Sequence, residues 1–295
     1  MLMAFMSCAA ARVWAQEPIP VSSEKELRAV VDNTDGDYIL TADIVCVDSW
    51  IPIAEFDGTF NGNGHTITYN VVGAANASGL FGTNYGTIRN LRVAGSISGT
   101  NTEYGGIAGS NSGTIENCLS SVNITSNYDG ELAIGGIAGY NDLNIRYCAA
   151  SGDITGSSAG AGKVGGIVGS NCHGSVGNCA FLGTVNCTSP LTGMVAGENY
   201  DGDITGCNYL DTSDNNPDGC KGVGGENGPI DDNTTPENNL DELAAIGSAA
   251  CAVGYCIYGV ALGGAPAQPD QDTKASKGSD SSLRDRKSPG RTGQR

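Results

Sequence analysis

Between residues 79 and 199 the apolar positions fall in short runs, each broken by Gly, Asn, Ser or Asp, and the runs recur in one order. Gly79-Leu80-Phe81-Gly82 with Asn84 is followed by Gly106-Ile107-Ala108-Gly109 with Asn111. Gly136-Ile137-Ala138-Gly139 with Asn141 and Gly166-Ile167-Val168-Gly169 with Asn171 come next, and Met194-Val195-Ala196-Gly197 with Asn199 is a worn fifth copy. The asparagines stand 27, 30, 30 and 28 residues apart. After each one comes an aliphatic residue (Ile88, Ile115, Ile145, Val176, Ile204), then Leu91, Cys118, Cys148, Cys179 or Cys207. A last aliphatic follows at Ile97, Ile124, Ile154 and Val185, but the fifth copy has Ser213 there, so the array is expected to end near residue 210.

Self-similarity at a fixed period marks stacked repeats. Three short β-branched segments per repeat predict three strands with tight turns, and they are too short for helix pairs. The period is below that of a propeller blade, and leucine is too sparse for a leucine-rich repeat. What remains is an all-β parallel β-helix of about five three-sided coils, stacked ~4.8 Å apart. Stacking lines up equivalent residues as ladders. Ile107, Ile137 and Ile167 are expected inward, each burial contributing roughly 1.5–3 kcal/mol. Asn84, Asn111, Asn141, Asn171 and Asn199 are expected at a bend, bonding up and down the stack. A ligand role for that column is the alternative.

The phrases GLFGTNYGTIRNL, GGIAGSNSGTIENC and GGIVGSNCHGSVGNC resemble the GLUG-motif repeats of bacterial surface and secreted proteins. The stretch ahead of them, Ser22 to Leu27 and then DYILTADI, WIPI and FDGTFNGNGHTI, is similar to the opening that precedes such arrays. The resemblance spans about residues 20–210. It implies a right-handed β-helix and a cell-surface setting, but no single function, because such arrays occur in adhesins and beside catalytic domains.

Composition narrows the partners. The chain carries 32 acidic and 15 basic residues, a formal charge of −17. So negative a surface disfavours nucleic acid and anionic membranes. Residues 1–15 read as a signal peptide cleaved after Ala15, with a lipoprotein site at Cys8 as the alternative. Residues 16–55 are then an N-terminal cap with a short helix near 23–32, and 56–210 the β-helix. Residues 211–242 form an acidic Asn/Asp-rich region, whose Asp211–Gly219 loop is the clearest Ca²⁺ candidate. It lacks the EF-hand spacing. Residues 243–262 are uncharged and long enough to span a bilayer, or else cap the solenoid. The tail 263–295 reads as disordered and basic.

The spacing of Cys118, Cys148, Cys179 and Cys207 follows the repeat, with Leu91 at the same place, so these thiols are expected inward and unbridged. No CxxC appears, and the two histidines are far apart, so zinc is not expected. No HExxH is present. His65 and His173 are assigned to turns, and no nucleophile is nominated. Glycoside hydrolysis usually needs two carboxylates across a groove. Asp153 and Glu116 have no acidic counterpart in adjacent copies, and Asp201 with Asp203, taken as two apart on one strand face, is the best pair. The sequence therefore points to an exported, non-catalytic surface protein without a cofactor, serving adhesion or binding glycan or a host or matrix protein. The alternatives are a polysaccharide-active enzyme on the same fold and a purely structural envelope component.

Overall fold

The computed structural model describes residues 17–73, 77–126, 128, 130–156, 162–211, 221–226 and 235–237. The signal peptide, the 243–262 segment, the basic tail and nearly all of the 211–242 region lie outside the described residues. So does the Ca²⁺ loop beyond Asp211. Among the described residues no helix is long and apolar enough to cross a membrane.

The chain is a parallel β-solenoid of about six turns, with one short helix near its start. One coil runs Glu103–Gly105, Ala108–Asn111, Thr114–Glu116 and Leu119–Ser126, and each strand pairs in parallel with its counterpart in the next coil. Four sheets result. Sheet I holds Thr114–Glu116, sheet II Leu119–Ser126, sheet III Glu103–Gly105 and sheet IV Ala108–Asn111.

This coil thus has four strands, not the three expected, and in the next two coils the sheet II strand is split in two. The cause of the fourth strand is the glycine just ahead of the motif, Gly105, Gly135, Gly165 and Gly193, which a second glycine follows in the three middle copies. A Cβ on Gly135 would lie 2.0 Å from the Ala138 carbonyl oxygen and 2.6 Å from Val168 Cα. Only glycine lets the chain fold back so tightly, and this corner divides one side of the coil between sheets III and IV. The inter-coil ladder continues through it, with Ile107 N–H donating to Ile137 O at 3.0 Å and Ile137 N–H to Ile167 O at 2.9 Å.

The solenoid is also longer than the motif spelling suggests. Residues 16–55 are more than a cap: Ile19–Val21 and Asp37–Leu40 begin sheet I, Ile44–Val45 begins sheet II and Ile53–Phe56 begins sheet IV. At the other end the array passes residue 210. Val223–Glu226 extends sheet IV, with Val223 paired to Ala196, and Thr235–Glu237 extends sheet II. The capping helix Glu24–Arg28 lies where it was expected and continues as a 3₁₀ turn, Ala29–Asp32. Ser23 Oγ accepts from Glu26 N–H, while Glu26 Oε2 accepts from Ser22 N–H at 2.8 Å, which satisfies donors at the helix start. Its Leu27 and Val30 are buried in the core, and Arg28 stacks 4.9 Å over the Trp50 ring.

Inside, period-2 alternation produces the ladders. Phe60, Ile88, Ile115, Ile145, Val176 and Ile204 stack in sheet I, all fully buried. At the front, Phe60 and Phe81 stand where later coils have aliphatics and Phe56 heads the asparagine column, and the three form a ring cluster with centroids 5.0–6.2 Å apart. The wider rings fill the first coils where the repeat is least regular.

Candidate functional site

Three columns of the predicted residues lie inside the solenoid, the first being Ile107, Ile137 and Ile167, all fully buried. Asn84, Asn111, Asn141, Asn171 and Asn199 are fully buried, and each Nδ2 donates at 2.7 Å to the Oδ1 of the next through Asn199. The same amides turn to backbone carbonyls at the bend, such as Gly113 O at 3.1 Å and Gly202 O at 2.8 Å. Among the described residues the one buried side-chain oxygen without a partner is Asn84 Oδ1. It faces the register position of Phe56, whose ring has no donor to offer. The column is closed to solvent and saturated except at that end, so a ligand has no route to it.

Cys118, Cys148, Cys179 and Cys207 are likewise buried and unbridged, each thiol turned to backbone carbonyls of its own and a neighbouring coil. Burial, followed by the adjacent thiol, holds Cys148 and Cys179 well above the usual thiol range. For Cys207 the neighbouring Cys179 comes first and burial second. Such thiols are poor nucleophiles.

The acidic candidates do not assemble. Asp201 sits in a turn with φ 51°, while Asp203 opens the strand Asp203–Thr205, so the two do not share a strand as expected. Glu116 is engaged by Arg146 of the next coil, at 2.9 and 2.6 Å. Asp153 is exposed and its N–H donates to Asn123 Oδ1. His65 pairs with Asp43 at 3.2 Å in a turn. Among the described residues no group of three or more His, Cys, Asp or Glu is placed to hold a metal.

The outer face of sheet I offers a different feature. Its outward columns are polar: Thr59, Thr87, Thr114, Asn144, Ser175 and Asp203 in one, Asn61, Arg89, Glu116, Arg146, Gly177 and Thr205 in the other. Where Gly177 interrupts the second column, a cleft of about 180 Å³ opens, lined by Asn144, Arg146, Tyr147, Ser175, Asn178 and Thr205 among others. Gly177 is not required by the backbone. A Cβ there would make only ordinary contact, with Thr205 Oγ1 at 3.6 Å.

Tyr147 marks the same spot. The turn after sheet I takes a left-handed residue in successive coils: Asn90, Asn117, Asn178 and Gly206, with φ between 53° and 60°. Asn and Gly suit that conformation. The remaining coil puts Tyr147 there, at φ 55° and 40% exposed. A bulky side chain kept in a costly conformation, exposed beside a cleft, is an outlier from which a functional hypothesis can be drawn. Sequence reasoning missed both residues. The available signal was the broken column, Asn-Asn-Tyr-Asn-Gly, read across the repeats.

Residues 130–155 match the family model of the GLUG motif. Over 135 residues, 38% of this chain, the protein is 36% identical to a halomucin of Haloquadratum walsbyi (strain DSM 16790 / HBSQ001), and the match spans 2% of that protein's length. Among solved structures, a crystal structure of a "putative immunoglobulin A1 protease" from Bacteroides ovatus aligns with a TM-score of 0.48 and 19% identity, covering 79% of this chain and 87% of that one. Residues 130–155 are therefore a GLUG motif, and they form one turn of a parallel β-solenoid whose neighbouring turns repeat its register.

Proposed function

We propose that this is an exported, non-catalytic surface protein whose solenoid displays a polar face for binding glycan, with the cleft around Tyr147 as the contact point. The observation that carries this reading is Tyr147 itself, an exposed ring held in a left-handed backbone beside a gap that Gly177 leaves open. An aromatic ring supplies an apolar platform for the C–H face of a sugar. The guanidinium of Arg146, the amides of Asn144 and Asn178 and the hydroxyls of Ser175 and Thr205 supply donors and acceptors for its hydroxyls. Glu116 fixes Arg146 from the coil before, so the guanidinium is already oriented. None of the residues lining the cleft is a carboxylate or a histidine. The general acid and base that glycoside hydrolysis uses are missing from the lining, which favours binding over turnover. The GLUG motif and the similarity to a halomucin support an extracellular surface setting.

The test is a glycan array with the full chain, run beside polysaccharide-degradation assays. Binding without turnover, lost in Gly177→Val with unfolding unchanged, supports the proposal. Degradation that survives Gly177→Val but is lost in Asp201→Ala or Asp203→Ala would replace it with the enzyme reading. Neither binding nor degradation would leave a structural envelope role.

A further inference from the structure

Six of the seven cysteines among the described residues are buried, and Cys172 is the exception. It ends the strand Val168–Cys172 with its side chain outward, because Asn171 before it points into the asparagine ladder. His173 follows in the left-handed bulge after that strand, at φ 63°. The bulge swings the imidazole back, so that Nδ1 lies 3.2 Å from Cys172 Sγ. Two neighbours from the preceding coil complete the cluster. Tyr140 hydrogen-bonds the Cys172 side chain, and Asp142 Oδ1 lies 4.0 Å from His173 Nδ1. The Tyr200 ring of the following coil stands edge-on to the imidazole at 5.7 Å.

We infer that Cys172 is a thiol–disulfide exchange site, activated by His173 and Asp142, whose substrate class is an accessible disulfide. The imidazole takes the thiol proton at Nδ1, leaving a thiolate that accepts from both Nδ1–H and the Tyr140 hydroxyl. Asp142 Oδ1 stands beside the same ring nitrogen. Asp142 and Glu103, the second carboxyl facing Tyr140, act by charge on the Tyr140 hydroxyl and keep it protonated as a donor to the sulfur. Burial pushes the Glu103 carboxyl up. In the exchange step the thiolate attacks one sulfur of the incoming disulfide. The Cys172–sulfur bond forms, the incoming S–S bond breaks, and the leaving thiolate departs with the electron pair and takes up the proton from His173. Cys172 is oxidised and the departing thiol is reduced, so no further oxidant is needed. This site stands apart from the sheet I cleft and does not depend on glycan binding.

The experiment treats the full chain with oxidised glutathione across pH 6–10 and locates adducts by peptide mapping. The Cys172 peptide should carry the mixed disulfide in folded protein, while the peptides of Cys118, Cys148, Cys179 and Cys207 stay unmodified until unfolding. His173→Asn keeps a residue that tolerates the left-handed turn. It should slow exchange at pH 7 on the order of 10-fold and move the rise in rate toward the ordinary thiol range, with the difference vanishing near pH 10. Asp142→Asn should give a smaller shift in the same direction, and Cys172→Ser should remove the adduct. A Cys172 peptide no more reactive than the buried cysteines, or a pH profile unchanged in His173→Asn, would overturn the inference.

Discussion

The asparagine ladder makes its middle and its end unequal, and the difference is measurable. In Asn141→Leu, a change of similar volume, two amide–amide bonds disappear: from Asn111 Nδ2 to Asn141 Oδ1, and from Asn141 Nδ2 to Asn171 Oδ1. Asn111 Nδ2 keeps Gly113 O at 3.1 Å, but Asn171 Oδ1 becomes a buried acceptor with no donor. A net hydrogen bond is worth about 1 kcal/mol and an orphaned buried group about 1–3 kcal/mol, so the loss should be ~3–5 kcal/mol. Asn84→Leu removes one amide–amide bond and orphans Asn111 Oδ1, yet it also deletes Asn84 Oδ1, which is already unpaired. The number of orphans stays constant and the loss should be about 1 kcal/mol. Phe56 occupies the same column one coil earlier, so an apolar side chain is sterically acceptable there. Urea unfolding of the two variants, compared at constant m-value, reads the difference directly. Equal midpoints for the two would refute the ladder account, because they would mean that side-chain pairing along the column contributes nothing.

Tyr147→Asn should raise stability by about 1 kcal/mol, since Asn suits the left-handed turn, while weakening glycan binding; a variant that is less stable than the parent would contradict the strain assignment. The glycines should divide sharply in thermal unfolding: Gly135→Ala, with its Cβ 2.0 Å from a carbonyl oxygen, costs ~3 kcal/mol or more, while Gly177→Ala is nearly neutral. Alkaline pH should destabilise the fold. Cys148, Cys179 and Cys207 stay protonated in the folded state above the ordinary value of 9.0, so the unfolded chain binds fewer protons and stability falls as pH rises past about 9. The slope approaches ~1.4 kcal/mol per pH unit per thiol, and Cys148→Ala should flatten it by one proton in pH-dependent urea titrations. Arg146→Ala should cost under about 1 kcal/mol in stability, because its pair with Glu116 is half exposed, and calorimetry should show weaker ligand binding.

The sequence by itself determined the architecture. A 27–30-residue period of β-branched segments can bury its apolar side only by stacking on copies of itself, so the Ile and Cys columns are inward and the Asn column stacks once the period is known. The helix of residues 24–28 was equally legible, because its capping residues act locally. Tertiary structure decided the rest. The corner between sheets III and IV arises where Gly135 folds back on Ala138 of its own coil and against Val168 of the next, and that second approach is one no local propensity encodes. The first and last coils escape the motif because pairing register, and not spelling, recruits a strand: Ile53 pairs with Phe81, and Val223 with Ala196. The surface features depend on the same stacking. Tyr147 and Gly177 lie thirty residues apart in the chain and meet in one cleft only because successive coils are hydrogen-bonded side by side. Cys172 and His173 were adjacent in the sequence, but the bulge that turns the ring onto the sulfur, and the Tyr140 and Asp142 that flank it, come from the fold.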